Sequence, residues 1–361
     1  MQRRFLLLAG SALPAWATAG EHTPDSAADW AAQTLALAWR RPDGRDEVGL
    51  LRLDWDAQRM QVLGTWGLPS RAHGLSSDGR GGFYAVAARA GDWLLHVAAD
   101  GRARWARQDG PWTFNGHVLP HAAGLFATET DPRDDSAHLA LRDPDTLVLR
   151  ARWALDGRDA HQLVVQPDGR LLIALGGLPR SADGRKRAGP IASALLRLEP
   201  ETGREQRRWT LPDAHISLRH LAWSLDGRRL GLALQAEHAD AAQRADAPLL
   251  AVLEDDHLQL PVAGGPGLGY AGDLCAAPGG GFVLSAQKAG LGLLWHPDAP
   301  ARWIRIAELT EPCALQNQAT GAGQAILIVA GRGVARWQAG GARMLAWPQA
   351  MVPDNHALLL A

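Results

Sequence analysis

Residues 160–175 read Ala160-His161-Gln162-Leu163-Val164-Val165-Gln166-Pro167-Asp168-Gly169-Arg170-Leu171-Leu172-Ile173-Ala174-Leu175. Two short apolar runs flank Asp-Gly, which is a hairpin signal because a type I′ turn needs positive φ at both central residues. Similar turns recur at Ser77-Asp78-Gly79-Arg80, Leu225-Asp226-Gly227-Arg228 and Pro278-Gly279-Gly280. The strand ahead of the turn also recurs, with histidine at one register. Its copies are Ala72-His73-Gly74-Leu75, Gly116-His117-Val118-Leu119, Arg219-His220-Leu221-Ala222 and Asn355-His356-Ala357-Leu358. Asp273 and Cys313 occupy what reads as the same place in two further strands.

Two more phases share this period. A later hairpin strand appears as Leu50-Leu51-Arg52-Leu53, Trp93-Leu94-Leu95, Leu195-Leu196-Arg197-Leu198, Leu293-Leu294-Trp295 and their counterparts. A tryptophan then closes most repeats: Trp66, Trp105, Trp153, Trp209, Trp303 and Trp347, with Leu260 in the fifth. Most of the fifteen tryptophans, against two tyrosines, are therefore expected to be apolar plates packed between sheets. The five ring positions from residue 73 to 273, and the sixth at 313, are spaced 44, 44, 59, 53 and 40 residues apart. About four short strands per repeat at that spacing is the signature of a β-propeller blade, and no long amphipathic helical pattern competes. The fold expected is an all-β, seven-bladed β-propeller. Thr34 to Trp39 matches a second strand with no innermost strand before it, while Asn355 to Leu360 is a lone strand carrying the missing pattern. The C-terminal strand should complete the first blade and remove the open edge. One propeller domain over 30–361 follows, preceded by a flexible segment at 20–29.

Residues 1–19 read as a twin-arginine export signal: Arg3-Arg4 precede a short apolar run, and Ala17-Thr18-Ala19 offers a cleavage site. The expected location is periplasmic. That apolar run is too short to span a bilayer, and no later one is long enough. A formal net charge of −1 gives no electrostatic case for nucleic acid. A monomer is expected.

The candidate chemistry lies at the mouth of the central channel. Neutral imidazole binds iron, copper and zinc, and aspartate or cysteine can complete such a set. The candidate metal ligands are His73, His117, His161, His220, His356, Asp273 and Cys313, with Cys275 two residues along its strand from Asp273. One ion takes only four to six ligands, so three or four histidines are expected to bind and the others to support them. The competing reading is structural, with each histidine capping the start of a strand. In an oxidising compartment Cys275 and Cys313 are equally well read as a disulfide. Two large insertions, Gly176 to Ile191 and Gln235 to Pro248, and an acidic loop at Glu129 to Asp135 are expected on the same face. The run Gly264-Gly265-Pro266-Gly267-Leu268-Gly269 lacks a strand–turn–helix context, so no nucleotide site is expected. No Cys-x-x-Cys-His occurs, which excludes covalent c-type haem.

Ile216-Ser217-Leu218-Arg219-His220-Leu221-Ala222 resembles the Ser-Ile-Arg-His-Leu-Ala signature of the domain of unknown function family 1513. Gly116-His117, Ala160-His161-Gln162, Ala174-Leu175-Gly176-Gly177-Leu178 and Asp354-Asn355-His356 are similar to further phrases of that family, in the same order. The resemblance implies a twin-arginine-exported propeller whose relatives are encoded beside imelysin-type and di-haem proteins. Periplasmic metal-uptake partners and a role in iron or copper acquisition are implied with it. The chain departs from the family pattern at Gln162, where glutamate is usual, and in the 178–190 loop, which lacks a histidine. The function expected is a non-enzymatic metal-binding or interaction protein. The alternatives are a metal-dependent enzyme, lactonase-like or an oxidoreductase, and a scaffold whose site is vestigial.

Overall fold

A computed structural model describes residues 32–181, 183–187, 189–320, 323–338 and 341–360. The expected export signal at 1–19 and the expected flexible segment at 20–29 lie outside the described residues. The described chain forms seven four-stranded antiparallel sheets arranged as the blades of a propeller. Blades two to seven are simple meanders in chain order, each strand pairing with the next. Blade one is closed by the C-terminal strand Val352–Leu360, which pairs antiparallel with Gln33–Arg40 in the register Leu35 to Leu359 and Leu37 to Ala357. The seam therefore lies inside a sheet, and the edge that an unpaired first strand would expose is covered.

Seven apolar clusters hold the ring together, one between each pair of neighbouring blades. The cluster joining blades seven and one packs Leu327, Val329 and Val334 against Leu35, Leu37, Leu51 and Leu53. The cluster joining blades three and four sets Leu139 and Phe126 against Ile173, Leu175 and Leu196. Second and third strands read as nearly continuous apolar runs because both of their faces are buried, as in Leu171–Leu175 and Phe83–Ala87. Outer strands such as Ala103–Arg107 are largely exposed.

Most of the repeated tryptophans pack on the clusters between blades, as expected: Trp209 is buried, and Trp66, Trp153, Trp303 and Trp347 lie partly buried against them. Trp39, Trp55 and Trp93 are fully buried, whereas Trp105 is 40% exposed. A strand at the rim of a blade has a neighbour on one side only, so its tryptophan caps the cluster edge. Its indole N–H reaches a loop carbonyl, as Trp209 does to Asp256 O at 2.8 Å and Trp303 to Gly264 O at 2.9 Å.

The expected acidic loop at Glu129 to Asp135 is in its first part a strand. Gly124–Asp131 is wholly buried, and Glu129 is held there by Arg142 at 2.8 Å and Arg152 at 2.7 Å. The insertion after residue 235 contains a one-turn helix, Ala241–Ala245, capped by Asp240 through Gln243 N–H. No helix among the described residues is long and apolar enough to cross a membrane.

Candidate metal centre

The five histidines lie on the innermost strands of blades one to five, and each falls where that strand breaks register with the second strand. The breaks lie between Ala72 and Leu75, Phe114 and Val118, Ala160 and Leu163, and Leu218 and Leu221. In blade one the break falls between the partners Pro353 and Ala357, which bracket His356. Extra residues on one strand of a pair make a β-bulge, which bends the strand and re-aims a side chain. The innermost strands of blades six and seven, Leu274–Ala276 and Ala314–Thr320, pair with no such break, and neither strand contains a histidine.

The bulges bring the imidazoles together. Ring centroids are 4.6 Å apart for His117 and His161, 4.8 Å for His161 and His220, 4.6 Å for His220 and His356, and 4.7 Å for His356 and His73. The circuit closes with His73 and His117 at 4.9 Å. His73, His117, His161 and His220 place ring nitrogens within 4.8 Å of one another, and His220, Asp273 and His356 form a second such group. Two glycines make room. Gly116 has φ +96°, and a Cβ there would lie 2.7 Å from His73 Cδ2; a Cβ on Gly74 would lie 2.3 Å from Gly116 O.

Burial lowers the affinity of all five imidazoles for protons, so they are neutral at pH 7. Hydrogen bonding cannot satisfy the set. His220 Nε2 faces both His161 Nε2 at 3.0 Å and His356 Nε2 at 3.1 Å. A neutral ring nitrogen either donates once or accepts once, so at most one of these contacts is a good hydrogen bond. Nε2 of His73 and of His117 are buried with no hydrogen-bond partner. Nitrogens sharing one ion at about 2.0–2.1 Å stand about 3.0–3.4 Å apart, and the two Nε2 separations fall in that range.

Outside the ring, carboxylates face two of the outward nitrogens. Asp354 Oδ1 is 3.7 Å from His73 Nδ1, and Asp273 Oδ1 is 3.7 Å from His356 Nδ1. Both separations exceed hydrogen-bond length; ionised Asp354 favours a proton on His73 Nδ1 and so a lone pair on its inward Nε2. Asp354 is buried, which opposes its ionisation, but His73 and Arg71 hold its carboxyl below the usual range. No arginine among the described residues pairs with Asp273, and burial pushes it up to about 8 against the N–H groups of Leu315 and Leu274. His161 differs from the others: its Nδ1 faces Arg89 Nη2, which can only donate, at 3.5 Å.

Residues 66–360 match the family described as "Protein of unknown function (DUF1513)". The chain belongs to that family. No curated protein matches it. Among solved structures it is similar to a functionally unknown protein from Desulfotomaculum acetoxidans DSM 771, at 10% identity and TM-score 0.61, over 91% of this chain and 98% of the other. It is also similar to virginiamycin B lyase from Staphylococcus aureus, at 10% identity and TM-score 0.57, over 82% and 95% of the two chains. Kuenenia stuttgartiensis hydrazine synthase is a third, at 11% identity and TM-score 0.57, over 86% and 94%. These likenesses establish the propeller fold.

The remaining candidate ligands of this DUF1513 chain stand apart from the imidazoles. Cys275 and Cys313 are both free and buried, each in a different apolar cluster. Burial raises the pKa of both thiols, so neither offers a thiolate at neutral pH. Cys313 Sγ donates to Val329 O at 3.5 Å. Gln162 does not face the ring; its Oε1 accepts the N–H of Leu221 and ties blade four to blade five, a task open to amide and carboxylate alike.

Several residues of the site escaped the sequence reading. Asp159, with no exposed side-chain surface, lies among the guanidinium groups of Arg89, Arg180 and Arg219. Burial alone would raise its pKa, but Arg219, Arg89 and Arg180 outweigh it and hold the carboxyl below its usual range. Burial pushes Arg89 down to about 9 despite Asp159. The available signal was adjacency, since Arg219 precedes His220 and Asp159 comes two residues before His161. A further grouping, Asp213 with His215 and His238, lies partly exposed beyond the ring.

Proposed function

We propose that this propeller is a periplasmic metal-binding protein whose histidine ring, His73, His117, His161, His220 and His356, holds one transition-metal ion in the service of metal acquisition. The observation that carries the reading is the coincidence of bulge and imidazole. Five blades depart from regular pairing, and the same five supply the converging histidines. Strand caps would not need to converge, nor to remain neutral with Nε2 atoms unpartnered. An ion is what allows several inward lone pairs to be satisfied at once. Iron, copper and zinc suit an all-imidazole donor set. The twin-arginine start at Arg3-Arg4 supports export, and the family's association with imelysin-type and di-haem proteins supports uptake partners.

The deciding experiment is metal analysis of protein purified without an affinity tag, stripped with a chelator and reloaded separately with Fe(II), Cu(II) and Zn(II). One equivalent of one metal, lost in a His73→Ala/His220→Ala double variant, is the expected result. Absence of stoichiometric binding for all three, with an unchanged melting temperature, would remove the reading.

A further inference from the structure

The structure assigns a second binding site, for a small oxyanion of the phosphate or dicarboxylate class, to the arginine cluster around Asp159 beside the histidine ring. Arg89, Arg180 and Arg219 all direct guanidinium nitrogens at the one carboxylate of Asp159, with Arg219 Nη1 at 2.8 Å and Arg180 Nε at 3.3 Å. Their side chains are 11%, 16% and 4% exposed, and that of Asp159 is 0%. The neighbouring Asp135 accepts the backbone N–H of Arg180 at 2.8 Å and faces Arg158 at 3.6 Å. Three largely buried arginines thus stand against two carboxylates, leaving one positive charge without a protein counter-ion, since Arg158 is 43% exposed and meets solvent. Buried charge is costly unless paired.

Unused donors make a second, independent observation. Nε of Arg219 and Nδ2 of Asn115 are buried with no hydrogen-bond partner, in residues 4% and 1% exposed. Asn115 belongs to this cluster, because its Oδ1 accepts from Arg89 Nε at 3.3 Å and Thr130 Oγ1 at 2.9 Å. Buried donors in native proteins are nearly always satisfied. Asp159 Oδ2 also makes no hydrogen bond, but it faces Arg219 Nη1 at 2.8 Å; the two atoms of the cluster left with neither kind of contact are donors, and they accompany surplus positive charge. That combination selects an anion with several acceptor oxygens. Planar guanidinium forks match carboxylate and phosphate geometry.

The place is accessible from one side. A small cleft lined by Arg89, Thr113, Thr130, Asp159, Arg180 and Ser181 leads to it. Arg180 lies in the insertion after the second strand of blade four, and its guanidinium also donates to Gly184 O at 2.8 Å. Arg89 contacts both the cluster and His161, so an anion here lies next to the imidazoles without needing them. The inference rests on the arginines and holds whether or not the ring carries a metal.

The test uses the mature protein stripped of metal, titrated calorimetrically with inorganic phosphate and, in a second arm, with oxalate, at constant ionic strength set by chloride. Saturable one-to-one binding by at least one of them is expected. Arg180→Gln, at the cleft mouth, should weaken it about tenfold or more, in line with loss of one charge-assisted contact. A His117→Ala variant should bind the anion as the wild type does. Arg89→Gln should abolish binding where it folds, judged by its far-ultraviolet circular dichroism, and Arg180→Gln carries the test where it does not. No saturable binding of either anion to folded wild-type protein would overturn the assignment. So would binding that survives Arg180→Gln but disappears in His117→Ala, since that places the anion in the ring.

Discussion

Acid should destabilise the metal-free protein steeply, by an amount that follows from the ring. Burial holds the folded-state pKa of His117, His161, His220 and His356 well below the ordinary histidine value, and lowers that of His73. The unfolded chain, with pKa about 6.5 at each, therefore takes up protons first as pH falls. The stability linked to these groups is present in full above pH 6.5 and is lost below it. Between pH 7.5 and 5.5 each well-buried histidine contributes a loss of about 1.4 kcal/mol, so four give about 5.5 kcal/mol and His73 adds up to about one more. Asp273 works in the opposite direction. Its folded pKa, pushed up to about 8, lies above the unfolded value near 3.9, so its contribution grows as pH falls, returning about 2.5 kcal/mol over the same interval. The net expectation is a loss of about 3–4 kcal/mol, a large share of the roughly 5–15 kcal/mol typical of a domain. Urea unfolding of chelator-stripped protein at pH 7.5, 6.5 and 5.5 measures it. Asp273→Asn removes the opposing contribution and should steepen the loss to about 6 kcal/mol. Unfolding free energies equal within about 1 kcal/mol at pH 7.5 and 5.5 would refute the reasoning, because the imidazoles would then titrate alike in both states.

Gly116→Ala should displace His73, since the new Cβ would lie 2.7 Å from its Cδ2 at φ +96°; we expect a stability loss of about 1–3 kcal/mol in urea unfolding, with weakened metal retention by mass spectrometry. Cys275→Ser/Cys313→Ser should leave metal stoichiometry unchanged, because neither thiol joins a ligand group among the described residues; loss of metal in that variant would restore the cysteines to the site. Glu129→Gln removes the buried charge that Arg142 and Arg152 share, and should cost about 3–5 kcal/mol, read as a lowered melting temperature. Truncation after residue 351 removes the strand that pairs with Gln33–Arg40 and uncovers Leu35 and Leu37, both 0% exposed; the product should show no cooperative unfolding transition.

The architecture was legible because a propeller repeats itself. Asp-Gly turns and apolar hairpins fix strand periodicity locally, and the unmatched pieces at Thr34 and Asn355 state the closure. The histidines were legible for the same reason, being in phase with the repeat. What remained hidden belongs to side-chain direction. Asp273 and Cys313 share a position with the histidines in the sequence, yet Cys313 packs into the cluster between blades seven and one. The difference is the bulge, and a register break of one or two residues leaves little trace in the sequence beyond a glycine at Gly74 or Gly116. The arginine cluster was hidden more deeply. Arg89, Asp159, Arg180 and Arg219 come from three blades, and no periodicity joins them; only the closed ring brings them to one carboxylate.

The charges around the ring narrow the kind of ion it can hold. Asp354 is engaged by Arg71 and Asp159 by three arginines, while Asp273 is largely protonated at neutral pH. No free carboxylate therefore faces inward among the described residues close to the imidazoles. Calcium and magnesium need anionic or carbonyl oxygens, so these hard ions would be desolvated here against neutral nitrogens and surplus arginine charge. Borderline ions form strong bonds to neutral imidazole and do not depend on a carboxylate. Even for them the neighbouring arginines raise the cost of bringing in a double positive charge. An oxyanion in the Asp159 cluster would offset that cost, so ring and cluster should bind cooperatively, each occupant tightening the other by the same factor. Phosphate or oxalate should therefore raise the affinity of the ring for Zn(II) after correction for chelation in solution. Zinc affinity unaltered by an anion that demonstrably occupies the cluster would show that the two sites lie too far apart, or too well screened, to share a field.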